Sequence, residues 1–373
     1  MEFSFDGTLA RLRDRGRNLG RSLVEPSVVD RDREATWNPQ LFTALVEVGL
    51  TGLLVPVRDG GLGLTILEAV ALLDGFGEGS ADAGLAFAVG THALLCGVPI
   101  ATLGDSAQRK RYLSGQRLGA LSLCEVDGGA TTSGGGVTAI HTGHGWRLDG
   151  AQSNVVNAPN ADYFLITAAT GRDQRTTFLL DRDTPGVSVQ REPEATSLRT
   201  APAAGLVLAG CQVTSSAVLG SVGAATTELV PLLAMLDRTC LLAPWLGILR
   251  ALAGHTLALT TEQPLFGSPM IRSQSVRLAV VDLQTQVELG AGLLYRAAWQ
   301  LDQLDQASRQ DTASAKLFLA NAVRDAVTTA GQFTRITPHH LVERINRDVL
   351  ALTTSGGAEV LRSVVAGALL ELG

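Results

Sequence analysis

Residues 145–156, GWRLDGAQSNVV, mark a change of pattern in the middle of this chain. They begin a series of short apolar runs separated by turn-forming Gly, Asp and Pro, which is typical of strands joined by tight turns. The runs that follow are DYFLITAA (162–169), TTFLLD (176–181) and AGLVLAG (204–210). The pattern therefore predicts an antiparallel β region over about residues 119–222.

The segments on either side repeat apolar residues every three or four positions, which is the spacing of one face of an α-helix. On the N-terminal side they are LFTALVEVGLTGLL (41–54) and ILEAVALLDGFGEGS (66–80). On the C-terminal side they are residues 229–262, 273–304 and 312–333. Each of the C-terminal segments is long enough to cross a helical bundle.

These patterns predict an α+β fold of three parts. They are an N-terminal helical domain (1–118), a middle antiparallel β domain (119–222) and a C-terminal four-helix bundle (223–373). The C-terminal segments are apolar on most of their faces, so we expect the bundle to bury surface against a second subunit. The sequence thus predicts an oligomer, either a homodimer, a homotetramer or a heteromer.

The composition narrows the class of protein. The 373 residues are 46% hydrophobic and 18% charged with a net charge of −6, so no chain-wide positive field favours nucleic acid. The four cysteines are scattered without CxxC pairs, which argues against a zinc site or a disulfide framework. The N-terminus lacks an apolar signal core, and no uninterrupted apolar run approaches the roughly 18 residues of a membrane span. We expect a cytoplasmic protein without a membrane partner.

Seven stretches in a fixed order resemble the acyl-CoA dehydrogenase superfamily from about residue 41 to the C-terminus. They are GLTGLLVPVRDGGLGLTILEAVALLD, GDSAQRKRYLSGQRLGALSLCEVDGG, RDTPGVSV, LFGSPMIRSQSVRLAVVDL, LYRAAW, ASAKLFLANA and LVERINRDVLALTTSGGAEVLR. The resemblance implies a flavoprotein that holds FAD between the β domain, its own bundle and a neighbouring subunit. It also implies oxidation of an acyl thioester, by proton abstraction at Cα and hydride transfer from Cβ.

The loop LTTSGGAEVLRS (352–363) departs from the family at the catalytic base. The family has a glutamate at the position of Ser355, followed by Gly and Thr, whereas this chain has Gly356 and Gly357. A serine hydroxyl is far less basic than a carboxylate and cannot take up the Cα proton without a base of its own. Ser355 is therefore either an N-cap of the following helix or a hydroxyl that assists another base.

The positions that contact the flavin in the family also differ. The Trp-Ile-Thr-Asn motif beside the flavin falls on residues 154–157, so its aromatic residue is Asn154 and its hydroxyl residue is Val156. A flavin-contacting Thr is replaced by Cys124, and an arginine that binds the pyrophosphate is replaced by Gln263. Gln274 keeps its family position.

The motif from the neighbouring subunit has Gln332 and Phe333 where the family has two glycines. Glycine there lets the backbone approach the cofactor, which a phenylalanine side chain would block. With the stacking residue, the hydroxyl and the arginine replaced as well, the sequence predicts a degenerate flavin site. We therefore expect no cofactor, or FAD if the family function is retained.

Asp237 and Arg238 are a second candidate catalytic pair. The isovaleryl-type and long-chain-type branches of the family place their base on this helix, at the position of Asp237. Arg238 would orient Asp237 or hold an anionic group of the substrate, and flanking apolar residues predict partial burial. An ordinary helix-terminal pair that faces water or a subunit surface is the other interpretation.

The histidines add little. His339 and His340 could shuttle protons at the mouth of the site or cap a helix, and capping is the favoured interpretation. His92 and His255 lie in apolar helical sequence and are predicted to be core or interface residues.

Three functions fit these observations. The first is a flavin-free enzyme that uses the scaffold for acid/base, elimination or cyclisation chemistry on an acyl-thioester or polyketide-like substrate in a biosynthetic pathway. The second is a catalytically silent subunit of a heteromeric acyl-CoA dehydrogenase. The third is an FAD-dependent dehydrogenase of an acyl-CoA or an acyl-carrier protein, with Asp237 as its base.

Overall fold

The structure, a computed structural model, describes residues 7–113, 117–122, 136–191, 195–303, 309–334, 340–354 and 358–370. Its elements follow the predicted order of helices, sheet and helices. The predicted three-part fold is therefore confirmed.

The N-terminal domain is helical, and the start of its central helix is set by local sequence. Its helices are α1 (Gly7–Leu19), α2 (Val28–Glu34), α3 (Pro39–Glu47), α4 (Ile66–Ser80), α5 (Ala83–Gly90), α6 (Val98–Leu103) and α7 (Ser106–Tyr112). A capping box begins α4: the Thr65 hydroxyl accepts from the N–H of Glu68, and the Glu68 carboxylate accepts from the N–H of Thr65. This arrangement uses two N–H groups that a helix N-terminus otherwise leaves free.

The helical stretch Ala83–Leu103 is 21 residues long and apolar enough to cross a membrane. Small and polar residues interrupt its apolar run, so the sequence pattern did not identify it. Its most apolar window is 94% buried inside the protein, which is how the core helix of a folded domain is placed.

The middle domain is a single sheet of eight strands among the described residues. They are β1 (Gly119–Ser122), β2 (Thr138–Thr142), β3 (Gly145–Val156), β4 (Tyr163–Gly171), β5 (Gln174–Asp181), β6 (Val187–Gln190), β7 (Ala203–Val213) and β8 (Val218–Leu219). The strand order is β6-β7-β3-β1-β4-β5-β8, and β2 pairs with β3 and β4. The β1–β4 and β2–β4 pairs are parallel, so the domain is mostly but not wholly antiparallel.

The C-terminal domain is helical apart from a short hairpin. Its elements are α8 (Ala225–Asp237), α9 (Ala243–Glu262), β9 (Pro264–Leu265), β10 (Ser268–Pro269), α10 (Gln274–Gln303), α11 (Arg309–Gly331), α12 (Leu341–Thr354) and α13 (Ala358–Leu369). Helix α9 crosses α4 closely because each helix has a glycine at the crossing. A Cβ at Gly77 would lie 2.1 Å from the carbonyl oxygen of Pro244, and a Cβ at Gly247 would lie 2.0 Å from that of Asp74. One apolar core therefore joins both helical domains, and a second core lies within the sheet.

A buried carboxylate ties four of these helices together. Asp74 on α4 is fully buried and accepts from Nε of Arg13 and Nε of Arg250, both at 3.2 Å. The hydroxyl of Tyr295 on α10 donates to the same carboxylate at 2.9 Å. Burial raises the pKa of Asp74, and the two guanidinium groups oppose that rise. The network fixes α1, α9 and α10 around α4.

Candidate active site

The C-terminal end of β3 departs from regular strand geometry at the predicted flavin positions. Asn154 and Asn157 have φ values of 53° and 69°, and the β3–β7 ladder shifts register between Gln152 and Val155. Asparagine tolerates positive φ better than bulky residues do. Val156 is buried in the sheet, so its position presents an apolar side chain where the family has a hydroxyl.

Asn157 links this strand end to its neighbours. Its Nδ2 donates to the carbonyl oxygens of Ala88 on α5 at 2.9 Å and Gly119 on β1 at 3.2 Å. Its Oδ1 is buried and has no donor among the residues that the structure describes. A buried acceptor without a partner is costly, so a water or ligand donor would be stabilising here.

A cleft of about 770 Å³ opens between the α2–α3 connection and the β domain. Small-molecule sites commonly have volumes of this order. The aromatic, amide and cationic residues that line it are Trp37, Asn154, Asn160, Arg182, Arg191 and Arg199. Among the described lining residues Glu34 is the one carboxylate, against three arginines.

Main-chain carbonyl groups position two of these arginines. Nη1 of Arg182 donates to the carbonyl oxygens of Ala158 and Ala161, both at 3.0 Å. Nε of Arg199 donates to the carbonyl oxygen of Asp32 at 2.8 Å, and its Nη2 donates to that of Arg33 at 3.1 Å. These carbonyl groups are neutral acceptors that hold the two guanidinium groups in place.

Asp237 is the last residue of α8 and is 7% exposed, as the sequence predicted. Its Oδ2 is 2.5 Å from Nζ of Lys316 on α11, and Lys316 is 2% exposed. The carboxylate therefore faces the inside of the bundle and not water, and it has a cationic partner that the sequence analysis did not select.

The residues after Asp237 lie on the turn between α8 and α9. Arg238 is the half-buried C-cap of α8. Cys240 is fully buried, and burial raises the pKa of its thiol to about 12. That thiol is protonated at neutral pH and is not a nucleophile.

Helix α12, which ends at Thr354, makes polar contacts with other parts of the chain. Its Arg347 pairs with Asp32 on α2 at 2.7 Å. Oδ1 of its Asp348 accepts the N–H of Leu198 at 2.6 Å. These contacts join the N-terminal domain, the segment before β7 and the C-terminal domain. Ser355 lies outside the described residues, as do Cys124 and His339.

Asp348→Asn is expected to change the pH dependence of stability. Burial raises the pKa of Asp348 to about 7, helped by the charges of Asp82 and Asp32 and opposed by the N–H of Leu198 and by Arg347. The folded state therefore keeps a proton that the unfolded state releases. The stability from this group is full below about pH 4 and is lost as the pH rises through about 7.

The Asn variant keeps an oxygen for the Leu198 N–H but cannot ionise. The free energy of unfolding of the parent protein should decline with rising pH by up to ~1.4 kcal/mol per pH unit because of Asp348, and the Asn variant should lack this decline. Urea titrations of both proteins from pH 4.5 to 8 measure the difference. Parallel pH curves for the two proteins would contradict the prediction.

The histidines have structural contacts. Nδ1 of His92 accepts the N–H of Gly119 at 3.0 Å, and burial lowers the pKa of His92 to about 4, so it is a neutral core residue as predicted. Nδ1 of His340 accepts the N–H of Val342 at 3.3 Å at the start of α12, which agrees with the capping interpretation. The ring of His340 lies 5.3 Å from that of His255.

The remaining flavin positions are on the surface of the single chain. Gln263 is the exposed C-cap of α9, and Gln274 is the exposed first residue of α10. Between them the β9–β10 hairpin places Phe266 at its tip, 100% exposed, with a φ of 50°. In a single chain these residues are accessible to another molecule.

Family models match the chain along nearly all of its length. Residues 8–117 match the acyl-CoA dehydrogenase N-terminal domain, residues 120–211 the middle domain and residues 233–370 the C-terminal domain.

The chain is also similar to individual proteins. It is 29% identical to benzylmalonyl-CoA dehydrogenase of Aromatoleum aromaticum, over 98% of this chain and 99% of that protein. It is 30% identical to an L-prolyl-[peptidyl-carrier protein] dehydrogenase of Pseudomonas fluorescens, over 69% and 70% of the two chains. A solved structure, the FAD complex of PigA, superposes with a TM-score of 0.92 at 23% identity and covers all of both chains.

The expectation that this protein has no cofactor is wrong. Its relatives over most of the chain are dehydrogenases, and a solved structure of the same fold is an FAD complex. The expectation rested on substitutions at single positions of the family motifs.

Proposed function

The chain belongs to the acyl-CoA dehydrogenase family, and from this we propose that it is an FAD-dependent dehydrogenase of an acyl thioester carried by CoA or by a carrier protein. The observation that carries the proposal is the similarity, along nearly the whole chain, to a dehydrogenase of a CoA thioester. The similarity to a dehydrogenase of a carrier-protein substrate extends the substrate class.

The side chains that line the cleft support FAD as the cofactor. A dinucleotide presents a pyrophosphate, two aromatic ring systems and polar ring edges. Arg182, Arg191 and Arg199 supply guanidinium groups for the anionic part, and Trp37 supplies an aromatic face. These groups are of the same chemical kinds as the family's aromatic and arginine side chains, which this chain replaces with Asn154 and Gln263.

We assign the role of base to Asp237. In this proposal the Asp237 carboxylate takes the Cα proton of the thioester as a Cα–Cβ double bond forms. Bound FAD would supply the acceptor for the hydride that leaves Cβ. Lys316 fixes the carboxylate through its 2.5 Å bond, and the surrounding bundle excludes water. In the same proposal Arg238 holds an anionic group of the substrate.

The decisive experiment combines cofactor uptake with substrate oxidation. The purified protein, incubated with FAD and freed of excess, should be yellow with one FAD per chain. Mixed without oxygen with a panel of acyl-CoA thioesters and a prolyl-loaded carrier protein, it should lose its flavin absorbance with at least one of them. A colourless protein would refute the proposal. A yellow protein that no thioester bleaches would favour the silent-subunit function.

The protein is expected to be at least a dimer. Phe266 on the hairpin is fully exposed, and Leu278 and Val281 on α10 are more than half exposed, so apolar side chains lie in water unless another chain covers them. Light scattering should therefore give at least twice the mass of one chain. Val281→Glu should shift the mass towards that of one chain, whereas Val57→Glu, at an exposed position on the N-terminal domain, should not. A monomeric mass for the parent protein would contradict the prediction.

A further inference from the structure

The C-terminal end of β3, which flanks the proposed flavin site, lacks the aromatic side chain that the family motif has there. The resemblance places the aromatic residue of the flavin motif at position 154, and this chain has Asn154 there. Its φ of 53° lies in the left-handed region, which suits asparagine and disfavours a bulky residue. The local backbone is therefore adapted to Asn154, and an aromatic surface has to come from another element.

Trp37 lines the same cleft as Asn154 and comes from the N-terminal domain. It is half-buried, and its ring centroid lies 5.5 Å from that of the buried Phe42, with the planes at 42°. Aromatic pairs at this separation stabilise each other. One part of the indole is thus packed while another part faces the cleft.

The backbone on both sides of Trp37 is fixed by helix caps. Ala35, the C-cap of α2, has a φ of 50° and donates its N–H to the carbonyl oxygen of Arg31. Asn38 is the N-cap of α3, and its Oδ1 accepts the N–H of Leu41 at 3.0 Å. The backbone at Trp37 therefore has little freedom, and the contact with Phe42 packs one side of the indole.

The α2 end of this connection is also tied to the β domain. Arg199, on the segment that leads into β7, donates two hydrogen bonds to α2. The acceptors are the carbonyl oxygens of Asp32 and Arg33 at the end of that helix. The hydrogen bonds of Arg199 therefore connect the side of the cleft that carries Trp37 with the β domain, which carries Asn154.

We propose that Trp37 supplies the aromatic surface for the flavin ring that β3 lacks at Asn154. The inference rests on the proposed function, because it needs FAD as the ligand. It assigns to the N-terminal domain a cofactor contact that the family pattern places on the β domain.

Flavin binding and flavin emission test the proposal without any substrate. FAD is titrated into the full-length apoprotein of the parent, Trp37→Leu, Trp37→Phe and Trp299→Leu, with matching melting temperatures as the check on folding. Trp299 is a half-exposed residue of α10 that does not line the cleft. An indole in contact with a flavin quenches its emission by electron transfer, which leucine and phenylalanine do not do.

Trp37→Leu should weaken FAD binding by roughly 3- to 10-fold, the range expected for the removal of an aromatic pair, and the bound flavin should become fluorescent. Trp37→Phe should bind within about 2-fold of the parent and also regain emission, because it keeps a ring without an indole. Trp299→Leu should match the parent in both measurements.

Equal affinity and equal emission for Trp37→Leu and the parent would overturn this inference and leave the proposed function intact. Failure of every protein, parent included, to bind FAD would overturn both. The two failures are therefore distinguishable.

Discussion

Replacing Asp237 with asparagine is expected to slow flavin reduction by the thioester by about 10²–10⁴-fold, the contribution usual for a general base. Asn keeps the size of the side chain and an oxygen for Nζ of Lys316, but it cannot accept the Cα proton. The rate is measured by stopped-flow absorbance of the flavin in a single turnover. Asp237→Glu should retain part of the activity because it keeps a carboxylate, and Ser355→Ala should cost much less than Asp237→Asn.

A structural role for Asp237 could lower activity by a different route, since the Asn variant leaves the Lys316 ammonium group buried without an anion. The variant Asp237→Asn/Lys316→Met removes that charge. If Asp237 is the base, this variant should regain stability relative to Asp237→Asn and remain as slow. Recovery of the parental rate would show that Asp237 acts only through folding. Parental turnover by Asp237→Asn itself would remove the assignment and favour the silent-subunit function.

Lys316→Met is expected to lower the free energy of unfolding by about 3–5 kcal/mol, because it leaves the Asp237 carboxylate in the bundle without its cation. Asp237 and Lys316 are both more than nine-tenths buried, so water compensates little for the missing partner. Equilibrium denaturation with urea measures the change.

The double variant Asp237→Leu/Lys316→Met is the control for this prediction. A buried ion pair replaced as a whole by apolar side chains of similar size is often neutral for stability. The double variant should therefore be within about 1 kcal/mol of the parent. A Lys316→Met protein as stable as the parent would show that the pair contributes nothing to folding.

The wrong expectation about the cofactor has a specific cause. The family motifs identify sequence positions, and Asn154, Val156 and Gln263 differ from the family at those positions. A binding site, however, is made of side chains that lie close together in space, and these can come from any helix, strand or loop that borders it. Trp37 and Arg199, which we propose as cofactor contacts, are outside every stretch that carries the family resemblance, so a comparison of motifs could not select them.

Local pattern in the sequence determined the three-part fold, because the periods of helix and strand are properties of neighbouring residues. It also determined the family and the choice of Asp237, since both depend on short stretches in a fixed order. Only the tertiary structure paired Asp237 with Lys316, 79 residues further along the chain, and placed Trp37 on the same cleft as the strand end at Asn154. Such contacts depend on how the helices and the sheet pack. The residues next to a side chain in the sequence do not specify which distant residue it will contact.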